Sequence, residues 1–347
     1  MFFESRYNGP MEILLLPVVY AVLQIFLLIG IGFFVKKIGP WSDGFFRGLS
    51  IFVVKVAIPL YIFVRISRTD ISELSVSWIF IAAALAIVAL GFVFGKIGFL
   101  IAKPGRLEER AGIAYSMFGN SGYFAITLTE ILPFTLPVLA DQFLSGKPFL
   151  YIGSYLLFHS VLLWTIGNHL ISGRRGKIHL KELFSPPVIG IICGFIGLFL
   201  QIERITVDAS MPLTHVFNAL KRLSDVTLPL VLICLGSMIA NLSLKKEKRK
   251  GTGRVLIPLS ITRFILLPGC FYLAYFLFLR KYQFNTALIW ILFIESHTPP
   301  ALNLSVMAAQ AGMNEELTSF TILITYVIFL IVLPFYLLLF FSLPGVL

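Results

Sequence analysis

Glu295-Ser296-His297-Thr298-Pro299-Pro300, with Asn303 just beyond, cuts an otherwise apolar stretch in two, and Gly119-Asn120-Ser121-Gly122 does the same to an earlier one. A continuous helix satisfies its own backbone in lipid. An interrupted helix frees N–H and C=O groups, which are tolerable at membrane depth only where they line a protein-enclosed cavity. The two breaks fall in the fourth and ninth of about ten predicted spans, the same place in two successive sets of five. Breaks at matching positions point to a secondary transporter whose substrate site lies where they meet, near the membrane midplane.

The composition agrees with a membrane setting. Apolar residues make up 58% of the 347-residue chain and charged residues 13%, far from the balance of a soluble domain. The stretch through Glu12 carries Glu4 and Glu12 beside Arg6, and no small-residue cleavage pattern follows, so the first apolar run is expected to be a retained span. The net charge of +11 lies in short links between apolar runs, which suits lipid headgroups and topology and not nucleic acid. Cys193, Cys234 and Cys270 sit in apolar runs without metal-ligand spacing and are expected to be small core residues.

Windows of about 20 mostly apolar residues run from Ile13 to Val35, Leu49 to Ile66, Trp78 to Ile101, Ala111 to Leu132 and Phe149 to Ile171. A second set runs from Val188 to Ile202, Phe217 to Ile239, Val255 to Leu279, Thr286 to Ala311 and Phe320 to Phe341. Basic residues cluster after spans one, three, five and seven, from Lys36 and Lys37 to the Lys245 to Arg254 group. Those links are expected to face the cytoplasm, with both termini outside. Arg280 and Lys281 after span eight run against the trend.

With five spans in each half, the halves must enter the membrane in opposite directions. The expected fold is therefore all-α, about ten transmembrane helices in two inverted five-helix repeats, 1–172 and 185–347, joined by a basic cytoplasmic link at 173–184. Ile58-Pro59-Leu60 in span two is echoed by Leu228-Pro229-Leu230 in span seven.

In the fourth span, Gly119 and Gly122 permit unwound backbone or close helix approach, and Asn120 offers donors and an acceptor without charge. A small-residue helix interface with Asn120 bonding across it is the competing explanation. In the ninth, Pro299 and Pro300 remove two backbone donors. The half-helix beyond presents its amides and positive dipole end, which suits an anionic group such as a carboxylate. Candidate substrate-binding residues are Asn120, Ser121, Gly122, Thr127, His297, Thr298, Pro299, Pro300 and Asn303.

A charged side chain at mid-membrane costs about 2.5 to 3.5 kcal/mol on insertion scales. Glu295 is thus either a proton-coupling group or half of an ion pair, with Lys55, His159 and Arg263 as partners that sequence cannot choose between. Lys55 and His159 join Glu295 as candidates for ion or proton coupling. Arg65, Glu130, Asp225 and Arg263 lie nearer span ends, where snorkelling accounts for them. No G-x-S-x-G, Walker or H-E-x-x-H motif is present, so neither an enzyme nor a cofactor or metal is expected. Ser121 or Ser296 with His297 is the one formal route to an intramembrane hydrolase, and no second acid supports it.

Four runs together resemble the auxin efflux carrier family: Asn120-Ser121-Gly122-Tyr123-Phe124, Leu228-Pro229-Leu230 leading to Leu235-Gly236, Thr298-Pro299-Pro300-Ala301-Leu302-Asn303, and Ala311-Gly312-Met313-Asn314. The resemblance spans essentially the whole chain and is closest to prokaryotic, permease-like members. It implies the fold of bile acid and sodium/proton carriers, with crossing broken helices four and nine. Spans one, two, six and seven would form a scaffold against which spans three to five and eight to ten move as a transport domain, in an elevator-type cycle. The implied cargo is a small organic anion, an auxin-like acid or a malate or malonate. The implied place is the cytoplasmic membrane, with a homodimer through a scaffold helix as an analogy of fold. Ala125 and Thr127 stand where the family commonly has Gly and Pro. A sodium-coupled carrier of bile-acid type and a non-transporting membrane sensor are the alternatives.

Overall fold

Helix boundaries follow local chemistry that the apolar windows do not show. The computed structural model describes residues 10–143, 146–173, 184–206, 210–240, 252–282, 284–311 and 315–346. The first helix, α1 (Pro10–Ile38), ends after Lys36 and Lys37. Ser42 then caps α2 (Asp43–Ile66) by accepting from the Phe45 amide at 3.2 Å. This cap starts the second span six residues before the apolar window, because Asp43 and Arg47 occupy its first turns.

Next come α3 (Ile71–Ala102), closed by Lys103 in the left-handed region at φ 47°, then α4 (Arg106–Met117) and α5 (Tyr123–Thr135). The first half closes with α6 (Lys147–Ser172). The second half contains α7 (Pro186–Phe199), α8 (Pro212–Ala240), α9 (Thr252–Leu277), α10 (Thr286–His297), α11 (Asn303–Gln310) and α12 (Glu315–Phe341). Asn285 caps α10 through the Leu288 amide at 2.7 Å.

Seven of the described helices are long and apolar enough to cross a membrane: α1, α2, α3, α6, α8, α9 and the Phe320–Phe341 part of α12. The windows of spans four, six and nine hold shorter helices. Spans four and nine are shortened by their breaks, whereas α7 has only 14 residues before the chain turns at Leu200 and Gln201. The chain after α5 bends by 117° between Thr135 and Pro137. The basic link at 174–183 and the Lys245 to Lys250 cluster lie outside the described residues.

Widened π turns at Val53–Ala57 and Thr262–Leu266 interrupt α2 and α9 shortly before Pro59 and Pro268. A proline inside a helix lacks its amide and crowds the carbonyl one turn back, and the Phe264 carbonyl freed before Pro268 accepts from the Tyr336 hydroxyl at 2.5 Å.

Helix packing forms two groups. The second half of α8 lies along α1, and α7 lies along the second half of α2. Backbones nearly touch there: a Cβ on Gly236 would lie 1.9 Å from the Ile29 carbonyl oxygen, and one on Gly32 2.1 Å from that of Ile233. Glycine at such crossings lets helices associate by close packing where lipid offers little hydrophobic drive. The other group contains α3 to α6 and α9 to α12, with α3 against α4, α6 and α9, and α11 against α12. Of the cysteines only Cys234 is buried; Cys193 faces outward from α7 and Cys270 is half-buried, which corrects the expectation of three core residues.

Candidate functional site

The two interrupted helices meet. Between α4 and α5, and between α10 and α11, the chain is extended, and the two extended pieces pair antiparallel about Gly119 and Pro300. The Asn120 amide donates to the Pro299 carbonyl at 2.7 Å, and the Ala301 amide to the Phe118 carbonyl at 2.9 Å. Groups freed from helical bonding therefore satisfy each other, as burial demands. The crossing brings together Gly119, Asn120, Thr298, Pro299 and Pro300 from opposite halves of the chain.

Side chains tie the crossing to its surroundings. The Asn120 amide nitrogen donates to the Tyr326 hydroxyl at 2.5 Å, and that hydroxyl donates to the Pro300 carbonyl at 3.0 Å. Trp290 Nε1 donates to Thr129 Oγ1 at 2.8 Å, joining α10 to α5. Gly119 is required by space, since a Cβ there would lie 2.3 Å from both Arg263 Nη2 and Thr298 Oγ1. Gly122 meets nothing within 4 Å, so its place in the break is not set by crowding.

Arg263 is completely buried, and its hydrogen bonds reach the crossing and the last turn of α4. Nε donates to the Thr298 carbonyl at 2.9 Å, Nη2 to the same carbonyl and to Thr298 Oγ1, and Nη1 to the Ser116 carbonyl at 3.4 Å. Snorkelling toward a span end does not describe this residue. Glu295, in the last turn of α10, is 1% exposed, and neither carboxylate oxygen has a hydrogen-bond partner among the described residues. Arg263 acts on it electrostatically, and the Ser121 hydroxyl lies beside it. Lys55 is exposed on the widened turn of α2, and no ion pair joins it to Glu295 among the described residues. His159 is buried, stacked on Tyr155 at 5.3 Å and edge-on to Phe118 at 5.6 Å.

His297 lies elsewhere. Its ring sits among Phe271, Tyr272, Phe293 and Tyr336, with centroids 4.1 to 5.8 Å away, and Nδ1 lies 2.6 Å from the Phe293 carbonyl. That position ties the ring to the end of α10, apart from the residues that line the cavity beside Asn120. Thr127 is buried along α5 with no hydrogen-bond partner for its hydroxyl among the described residues, and Asn303 is exposed as the first residue of α11.

A cavity of about 50 Å³ opens between the crossing and the paired helices. Ser50 and Val53 of α2, and Val231, Leu232, Cys234, Leu235 and Met238 of α8, form one wall; Asn120, Phe124 and Leu302 form the other. Its lining is mostly apolar, with Asn120, Ser50 and Cys234 as the polar exceptions. Phe124 lies in the first turn of α5 and Leu302 just before α11, so the cavity abuts the amide ends of both second half-helices.

A further polar group joins α2 to α5. Arg65 pairs with Glu130, the Tyr61 hydroxyl donates to the same carboxylate, and the guanidinium lies over the rings of Tyr61 and Phe149 at 5.3 and 5.1 Å. Tyr326 was not singled out from sequence, and of the α8 wall only Leu235 and Cys234 were named, neither as a lining residue. A tyrosine inside an apolar helix gives no local signal of what it touches. Among the described residues no cluster of His, Cys, Asp and Glu has a metal-binding arrangement.

The model of the membrane transport protein family matches residues 17–183 and 176–337 of the chain. An uncharacterized transporter of Methanocaldococcus jannaschii is 26% identical over 321 residues, covering 90% of this chain and 95% of the relative. One from Methanothermobacter thermautotrophicus is 24% identical over the same length, with the same coverage of both. Protein PIN-LIKES 7 of Arabidopsis thaliana is 30% identical over 156 residues, 43% of this chain and 38% of that protein.

Proposed function

Because the chain belongs to the auxin efflux carrier family of membrane transport proteins, we propose that it is a secondary carrier of small organic anions, binding its cargo at the crossing of the two broken helices. The observation that carries this reading is the cavity. It is bounded by the crossing on one side and by α2 and α8 on the other, so a molecule inside touches both helix groups. Amide ends of α5 and α11 suit a carboxylate, and the Asn120 side chain adds a polar contact. The apolar wall suits a hydrocarbon or aromatic body. Ser121, Thr298, Pro299 and Pro300 act by shaping the crossing, not by direct contact with cargo.

Reciprocal packing supports the inverted repeat. The first span lies on the seventh and the sixth on the second, which is the pairing that a two-fold axis in the membrane plane generates. On this reading α1, α2, α7 and α8 form the scaffold. The remaining helices carry the crossing past it in an elevator cycle, in the cytoplasmic membrane, with both termini outside and a scaffold helix available for homodimer contact. Glu295, buried and without a hydrogen-bond partner among the described residues, is the coupling group, with a proton as the simplest ion.

Binding tests this reading directly. A panel of mono- and dicarboxylates should raise the unfolding temperature of the purified protein, and Asn120→Ala should remove that effect. Stabilisation that persists in Asn120→Ala would place the ligand away from the crossing.

A further inference from the structure

We propose that Arg263 is a positioning residue that makes the crossing a site for an anion without touching the anion; this rests on the carrier reading above. Four half-helix ends converge at the crossing. The α4 and α10 helices arrive with their C-terminal carbonyls, and α5 and α11 leave with their N-terminal amides. A C-terminal end carries roughly half a negative charge and an N-terminal end roughly half a positive one, so the four alone would cancel.

Arg263 upsets that balance on one side. Its hydrogen bonds go to Ser116 in the last turn of α4 and to Thr298 at the end of α10. A full positive charge thus faces the two carbonyl ends, with the Glu295 carboxyl group in the last turn of α10 also within its field. The amide ends, beside Phe124 and Leu302, border the cavity instead and are left to act on what enters it.

The backbone is built around this guanidinium. Gly119 leaves the space that Nη2 occupies, since a Cβ there would lie 2.3 Å from it. The widened turn Thr262–Leu266 carries Arg263 at its second position, which sets the side chain against the crossing and not into lipid. Holding both carbonyl ends with one planar fork also fixes the angle between α4 and α10.

Thermal unfolding and anion binding of purified variants test the proposal, with malonate and benzoate as probes and benzamide as the uncharged control. Arg263→Gln and Gly119→Ala should each lower the unfolding temperature, and the double variant should fall no further than the worse single, because the methyl and the guanidinium compete for one place. Arg263→Gln should weaken binding of the anion that wild type binds by roughly tenfold or more, leave benzamide unaffected, and be partly rescued by Arg263→Lys. Additive losses in the unfolding cycle would overturn the proposal, as would unchanged anion affinity in Arg263→Gln. If wild type binds neither anion, the carrier reading loses its cargo class while the unfolding cycle still decides where Arg263 acts.

Discussion

Asn120 donates its backbone N–H to the carbonyl of Pro299 at 2.7 Å, joining residues 179 positions apart across the centre of the protein. Each of these residues lies at a break that lipid would not tolerate alone. Together they close the accounts of a backbone that no continuous helix serves.

The Asn120 side chain is expected to matter more for cargo than for folding. Asn120→Ala should weaken binding of an organic anion by about tenfold or more, the worth of one polar contact in a desolvated site. Tyr326→Phe leaves the Pro300 carbonyl without its side-chain donor and should cost about 1 to 3 kcal/mol of stability. Binding isotherms and chemical unfolding separate the two effects; equal loss of both in each variant would contradict it.

Glu295→Gln keeps the size of the side chain and removes its charge. Flux in proteoliposomes should depend on an imposed pH gradient in the wild type and lose that dependence in the variant. A variant that still follows the gradient would assign coupling elsewhere.

The Arg65–Glu130 pair bridges α2 and α5, with side chains 19% and 18% exposed. Removing one partner should cost about 1 to 3 kcal/mol, because the other is left largely buried without its counter-charge. Arg65→Met with Glu130→Leu should recover much of that loss. Denaturation midpoints of the singles and the double measure the coupling, and strict additivity would show that the pair is not coupled.

Gly236→Val forces two backbones apart at the α1 and α8 contact, where even a Cβ has no room. The expected loss is about 1 to 3 kcal/mol or more, seen as lower unfolding temperature and lower yield. Gly269→Ala, where nothing lies within 4 Å, is the matched control and should be close to neutral.

The broken helices were legible because their signal is local. Two prolines in succession and a Gly-Asn-Ser-Gly run oppose helix wherever they fall, and the apolar flanks say that they fall in a membrane. Arg263 was misplaced because its meaning is not local. It lies inside an apolar helix, and only packing of α9 against the crossing turns it inward. The same limit applies to His297, a substrate-binding candidate from sequence whose ring the structure places in an aromatic cage. Its cage comes from Phe271, Tyr272, Phe293 and Tyr336, on three helices whose mutual rotation no periodicity fixes. Lys55 drew attention as a cation mid-window, and what sequence could not show is that it sits exposed on the widened turn of α2.

Transport through the crossing is the central claim, and uptake of labelled mono- and dicarboxylates into proteoliposomes by wild type and Pro300→Ala tests it most directly. Saturable uptake of at least one carboxylate by the wild type, lost when Pro300→Ala returns a backbone donor to the break between α10 and α11, is the expected result. A panel of which nothing moves, or a Pro300→Ala variant that carries cargo as the wild type does, would contradict the account.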